Sequence, residues 1–360
     1  MIEGRACGKL LLCGEYAALF GCDALGIGVQ SQLRVRILSE NCDSHANLLD
    51  STAQALEAPQ ALADKDKTNF FHIDLTDLSK SVARTQASKS LVLVVDYLVK
   101  QLAISASELC VAIDSEIDQN KGFGSSAALC CALFRALRQL SPLDRCELEN
   151  KTITILRQCE DYFHGVSSGI DTTICWKPGV CKVKTTLLAT DDHNPRFVAS
   201  LREDVPGLSQ SLFHNHSGWG WAYIDSGTPR SSTQECVQFV LSNSQKCREY
   251  AQSYPHYLNQ LLSGIENENQ VDIYIAISHM HQSLCHLGIV PQAIQVFVSE
   301  LQTQGCCAKI SGAGCIRGDA AGILIAYGPI QTMHQISQKY NFSCRVLSTL
   351  GTDLTYEKRL

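Results

Sequence analysis

The apolar positions along the chain change period several times, and each change marks an element. Near the N-terminus, Leu10 to Cys13 and Leu33 to Leu38 are apolar runs of strand length. From Leu91 to Leu102 the apolar residues Leu91, Val94, Val95, Leu98 and Leu102 recur at helical spacing, and Leu109 to Ile113 reads as a short buried strand. After a loop over Asp118 to Gly124, the pair Ser125-Ser126 opens a predicted helix of small and apolar residues, Ala127 to Leu140. A second helix is predicted over Leu148 to Phe163, with Ile153, Leu156, Cys159 and Phe163 on its buried side and Gly165 ending it.

In the C-terminal half, Ala222 to Ile224 reads as strand, Gln234 to Leu262 as mostly helix, and Val271 to Leu287 as another helix. Ala293 to Gln304 looks helical, Cys307 to Ile310 is a strand, and Ala321 to Ala326 a fully buried one. Helices and strands form a mixed α/β pattern without repeated βαβ units. The stretch from Glu40 to Ser88 is polar, with one alternating patch at Phe70 to Leu75. No repeat, low-complexity tract or linker separates two halves, so the boundary must be compact; it is expected near 185–195, giving domains 1–190 and 191–360.

Composition narrows the class. With 360 residues, 45% apolar and 18% charged, the chain is an ordinary globular protein, and at roughly 100–200 residues per domain it has room for about two. The net charge of −6, without any basic block, argues against a nucleic-acid partner. The start lacks a charged region followed by an apolar core, and no window runs about 18 apolar residues without charge, so no membrane role and a cytoplasmic location are expected. The 18 cysteines are scattered through apolar patterns with no C-x-x-C pair, which predicts reduced, buried thiols. His279, His281, Cys285 and His286 are the nearest approach to a metal cluster, but only His281 and Cys285 have i, i+4 spacing and no second half-site exists, so a polar helix flank is expected.

Three glycine-bearing segments carry the candidate chemistry. Lys121-Gly-Phe-Gly-Ser-Ser-Ala-Ala128 follows a strand-like run and opens a helix, whose N-terminus presents unpaired N–H groups and partial positive charge to an anion. It lacks the G-x-x-x-x-G-K-[ST] spacing of a P-loop. Gly8-Lys9-Leu-Leu-Leu-Cys-Gly14-Glu15-Tyr16 brackets a strand near the start, and Lys309-Ile-Ser311-Gly312-Ala313-Gly314 lies near the end, with a further turn at Gly318.

In this order the three segments resemble the signatures of the GHMP-type small-molecule kinases, the superfamily of galactokinase, homoserine kinase, mevalonate kinase and phosphomevalonate kinase. The resemblance runs from residue 8 to about 325. It implies an α+β fold of two domains, one like ribosomal protein S5 domain 2 and one ferredoxin-like, with ATP and substrate meeting between them. Lys121, Gly122, Gly124, Ser125, Ser126 and Ala127 would then hold the ATP phosphates, and Gly312 and Ala313 would support that loop and the substrate.

Within the superfamily, Glu160-Asp-Tyr-Phe-His164-Gly165-Val-Ser-Ser168-Gly169-Ile-Asp171 is similar to the mevalonate kinase pattern. That likeness implies Ser126 and Glu160 as Mg²⁺ ligands, Asp171 on a loop as catalytic base, and Lys9 as its cationic partner. Glu15, Tyr16, His164, Ser168 and Thr233 would contact substrate, with Ser232 as an alternative to Thr233, and Arg230 would be a carboxylate contact or a surface cation. Met280 to Val290 resembles the helix leading to the family's Leu-Gly-[Val/Ile], which puts His281 at a helix surface or cleft. The sequence departs from the family at Cys7, Tyr16, Asp118, Phe123 and Cys315-Ile-Arg317-Gly-Asp319, where Pro, His, Pro, Leu and a glycine run are usual. The implied activity is ATP-dependent phosphorylation of the mevalonate 5-hydroxyl, with ATP and Mg²⁺ as co-substrate and cofactor and a homodimer as the family's suggestion. Phosphomevalonate kinase, which often carries Gly-Glu-Tyr, and a non-catalytic ligand-sensing member are the alternatives.

Overall fold

The computed structural model describes residues 2–38, 69–76, 86–117, 121–188, 196–213 and 218–347. Most of the polar 40–88 region, and Asp118 with it, lies outside the described residues. Packing divides the chain into one unit of residues 1–8, 31–118 and 125–176 and a second of 9–30, 119–124 and 177–360. This division does not coincide with a single cut near 190. Strand β1 (Ile2–Cys13) and strand β2 (Ala24–Leu38) each give one end to each unit, and the loop before Ser125 groups with the C-terminal residues.

In the first unit, the end of β2 pairs antiparallel with β4 (Glu108–Ser115), from Leu33 opposite Ser115 to Leu38 opposite Cys110, and β4 pairs in turn with β3 (Asn69–Asp74). The helices are α1 (Gln86–Gln101), α2 (Ser125–Leu137), α3 (Arg145–His164) and α4 (Ile170–Cys175), and they pack on one another. Helix α2 is apolar on nearly all sides, from Ala127 and Ala128 through Cys130, Cys131 and Phe134 to Leu137, as a helix enclosed by its neighbours must be. Its Arg135 donates to the Arg5 carbonyl at 2.7 Å and stacks over Trp176. Helix α3 starts where Asp144 accepts from the Cys146 and Glu147 amides, and it stops at Gly165.

In the second unit, the start of β2 pairs with β5 (Gly179–Leu188), and β5 pairs with β6 (Arg196–Asp204) across a bulge at Lys184/Thr185. After α5 (Pro206–Phe213) comes β7 (Trp219–Asp225), then α6 (Thr233–Ser242), α7 (Ser244–Glu266), α8 (Gln270–His286) and α9 (Gln292–Thr303). Strands β8 (Cys307–Ile310) and β9 (Ile323–Pro329), helix α10 (Ile330–Lys339) and β10 (Ser343–Val346) complete it. The four-stranded sheet has the order β10-β7-β9-β8, with four helices between β7 and β8 and one between β9 and β10. The long helix expected over Gln234 to Leu262 is broken, because Asn243 ends α6 and its side chain caps α7. Among the described residues no helix is long and apolar enough to cross a membrane.

All the described cysteines are unbridged and most are buried; burial pushes the Cys181 thiol up to about 11, keeping it protonated. The expectation for His281 needs correction. Its side chain is enclosed because α8 packs against both α7 and β8, and its Nε2 lies 3.4 Å from Cys285 Sγ. Burial first, then the Lys309 charge, pulls the imidazole down to about 4. Because this folded value lies below the ordinary ~6.5, the unfolded chain takes up a proton that the folded one refuses as pH falls. Stability from this group is therefore complete above pH ~6.5 and declines by up to about 3 kcal/mol as pH drops toward 4. Urea unfolding of His281→Asn and the native chain across pH 4–7 is expected to diverge in that window. A constant difference across the window would remove His281 from the acid response.

Candidate functional site

Three helices of the first unit carry the candidate phosphotransfer residues. Ser125 and Ser126 begin α2, and Ala127 is buried behind them. The Ser126 hydroxyl lies 2.9 Å from Nε2 of His164, the last residue of α3. One turn earlier on α3, Glu160 is buried, and the Ser167 hydroxyl donates to its Oε2 at 2.7 Å. Ser167 also accepts from the Gly169 amide at 3.0 Å, so one serine both fixes the carboxylate and folds the turn that leads to Asp171. The neighbouring Ser168 is half-buried, and its hydroxyl accepts from the Ile170 amide at 3.4 Å.

Asp171 does not sit on a loop. It occupies the first turn of α4, whose start is fixed by Gly169 in the left-handed region at φ 75°. A β-carbon there would also approach Arg157 within 3.1 Å, and the Thr173 hydroxyl donates to the Gly169 carbonyl at 2.7 Å. The short helix thus holds the Asp171 carboxylate at a defined position beside its N-terminus, where negative charge is favoured. Ser167 and Arg157 were not singled out from sequence. The S-x-G turn was the available signal for the first.

In the second unit the candidate phosphate-loop residues 121–124 meet the first and third glycine segments. The Phe123 carbonyl accepts from the Lys9 amide at 2.8 Å, and the Lys9 side chain is buried. Ile323 ties the loop to the third segment, because its amide donates to the Lys121 carbonyl at 3.2 Å and its carbonyl accepts from the Ser311 amide at 2.8 Å. The Ser311 hydroxyl in turn accepts from the Leu11 amide at 2.9 Å. At Gly314, with φ 72°, a β-carbon would lie 2.2 Å from the Ile289 carbonyl oxygen, so no larger residue fits this turn. Gly122, Gly124 and Gly312 also have positive φ.

Several expected ligand contacts are turned elsewhere. The Lys121 ammonium pairs with Asp225 at 2.7 Å, and Asp225 itself accepts from the Gly227 amide. The Glu15 side chain is enclosed and pairs with the equally enclosed Lys309, while its Oε2 has no hydrogen-bond partner among the described residues. Tyr16 is also buried, and its hydroxyl donates to the Ala313 carbonyl at 2.6 Å. Burial raises this phenol well above its ordinary pKa, so it remains a donor. The Ser232 hydroxyl caps α6 in a reciprocal box with Glu235, which also pairs with Arg317, while Thr233 begins the helix exposed. Arg230 is exposed, with its stem against Gly318. Among the described residues no three His, Cys, Asp or Glu side chains form a self-sufficient metal site, so His281 and Cys285 contact each other without a third ligand.

Comparison with known proteins adds three findings. Residues 89–179 match the family described as the GHMP kinases N terminal domain. Solved structures with a similar fold include L. major mevalonate kinase in complex with R-mevalonate (TM-score 0.60, 15% identity, covering 94% of this chain and 90% of that one). Streptococcus pneumoniae phosphomevalonate kinase in complex with phosphomevalonate and AMPPNP has TM-score 0.65, 16% identity and coverage of 96% and 100%. Lactococcus lactis galactokinase complexed with galactose has TM-score 0.58, 15% identity and coverage of 96% and 92%. No curated protein sequence matches. Residues 89–179 thus match the N-terminal domain family of the GHMP kinases, within a chain that shares its fold with these solved kinases.

Proposed function

We propose that the protein is an ATP-dependent kinase acting on the 5-hydroxyl of mevalonate. The observation that carries this reading is the helix cluster of the first unit, in which α2, α3 and α4 pack together and contribute Ser126, Glu160 and Asp171. Asp171 would accept the hydroxyl proton as the alcohol oxygen bonds to the γ-phosphorus and the bond to the bridging oxygen breaks, releasing ADP. Lys9 would offset the negative charge developing on the transferring group, and the amides at the start of α2 would receive the phosphates. His164 fixes the Ser126 hydroxyl, and Ser167 fixes Glu160, which limits the reorganisation either group undergoes when ligand binds.

The donors fit Mg²⁺: Ser126 and Glu160 offer one hydroxyl and one carboxylate, and this ion takes few protein ligands because phosphates and water complete its shell. When bound, it would neutralise charge on the β- and γ-phosphates.

Phosphomevalonate is the second reading. Tyr16 favours it, standing where mevalonate kinases usually carry His. The deciding experiment is ADP release with Mg²⁺-ATP on mevalonate, phosphomevalonate, galactose and homoserine in parallel. Turnover on mevalonate alone is expected. Turnover only on phosphomevalonate would transfer the assignment, and none on any of the four would refute a kinase of this substrate range.

A further inference from the structure

A pocket of about 170 Å³ in the second unit is lined by none of the residues discussed above as kinase machinery. Trp219 and Trp221 alternate along β7 and so face the same side of the sheet, and Tyr327 on β9 stands directly opposite Trp221. The Tyr327 ring centroid lies 5.0 Å from that of Trp221 and 5.8 Å from that of Trp219. The remaining wall comes from Ser211 on α5 and from the α7–α8 turn, with Ile265, Glu268, Gln270 and Ile273. Three rings and two isoleucines supply its apolar surface, Ser211 and Gln270 add polar groups, and Glu268 gives it a negative charge.

Glu268 occupies an unusual position. It has φ 53°, and the Asn269 amide closes the turn on the Gly264 carbonyl at 2.8 Å. A left-handed residue just beyond a helix is ordinarily Gly or Asn, because a larger side chain is strained there. The sequence thus places a carboxylate beside the rings at a backbone position that disfavours it, and such departures concentrate where a side chain has work to do. Its charge reaches the aromatic wall: burial first, then the neighbouring Cys307 thiol and the Glu268 carboxylate, push the Tyr327 hydroxyl up to about 12.

We propose that this pocket binds a small organic cation of the alkylammonium class, held against the faces of Trp219 and Tyr327 with Glu268 as its counter-charge. The ring quadrupole attracts a cation, whereas the carboxylate repels an anion.

The test uses the full chain and its own fluorescence, since two of the three tryptophans line the pocket. Choline chloride is titrated against its uncharged isostere, 3,3-dimethylbutan-1-ol, with sodium chloride as the ionic-strength control. Choline is expected to give a saturable change with half-saturation at about 1 mM or below, and the alcohol to bind at least about tenfold more weakly. Glu268→Gly removes the charge while suiting the backbone, and it is expected to weaken choline binding at least about tenfold. Trp219→Leu, on the half-buried rim, should weaken it as well. Equal binding of choline and the alcohol, unchanged binding by Glu268→Gly, or no saturable change up to about 50 mM choline would each overturn the proposal.

Discussion

Replacing Asp171 by Asn is expected to cut turnover by ~10²-fold or more while nucleotide affinity stays within about threefold, the usual size of a general-base contribution. The amide keeps the shape of the carboxylate but accepts a proton poorly and carries no charge. The backbone around it is set by groups the substitution leaves untouched. Gly169 supplies the left-handed turn, Thr173 bonds back to the Gly169 carbonyl, and Ile170 and Ile174 are buried. Folding should therefore be preserved, so that a loss of rate reads as chemistry. Equilibrium binding of a nucleotide analogue and single-turnover phosphoryl transfer, measured on the same preparation, separate the two quantities. Near-native turnover in Asp171→Asn would remove this residue from the mechanism. A matched loss of nucleotide affinity would assign it to binding instead.

That Asp171 lies on a helix was hidden by length. Six residues are less than two turns, too few for an apolar period to emerge, so Ile170–Cys175 reads as loop until tertiary contacts fix it. Long elements were far more legible. The stripe Leu91, Val94, Val95, Leu98 and the small-residue run after Ser126 mark α1 and α2, because each side chain repeats a burial choice at a fixed angle. Strands β5 and β6 escaped for the opposite reason. Lys182, Lys184, Arg202 and Glu203 interrupt their apolar residues, and Leu187 and Leu201 are exposed, so neither a clean alternation nor a continuous run is present. The candidate site divides in the same way. Residue types at the three glycine segments were visible, but the partners of their charges were not. The enclosed Glu15, Lys309, Glu160 and His281 side chains each look like surface residues in a sequence, where nothing marks a charge or imidazole that another group will neutralise or enclose.

The Glu15–Lys309 pair leads to the largest expected effect on stability. Both side chains are essentially excluded from solvent, Lys309 also donates to the Ile310 carbonyl at 2.8 Å, and Glu15 Oε2 has no partner among the described residues. Removing the lysine strands a carboxylate in a low-dielectric interior, a change that ordinarily costs ~3–5 kcal/mol. Lys309→Met is therefore expected to lose stability of that order in urea unfolding. The double variant Lys309→Met with Glu15→Leu removes both charges and should recover most of the loss, because an apolar pair of similar volume tolerates burial. The two singles and the double form a cycle whose coupling measures the pair itself. The position of the pair makes the result informative about the site. Glu15 immediately precedes Tyr16, which holds the Ala313 carbonyl, and Lys309 lies two residues before Ser311, which receives the Leu11 amide. If charge pairing is the origin of the stability, the double variant will fold and keep the Tyr16–Ala313 bond. If the double is as unstable as Lys309→Met alone, the lysine acts through its packing and its bond to Ile310, and the carboxylate is incidental. A loss below about 1 kcal/mol in Lys309→Met would show instead that water reaches Glu15 and screens it, since only exposed pairs contribute so little.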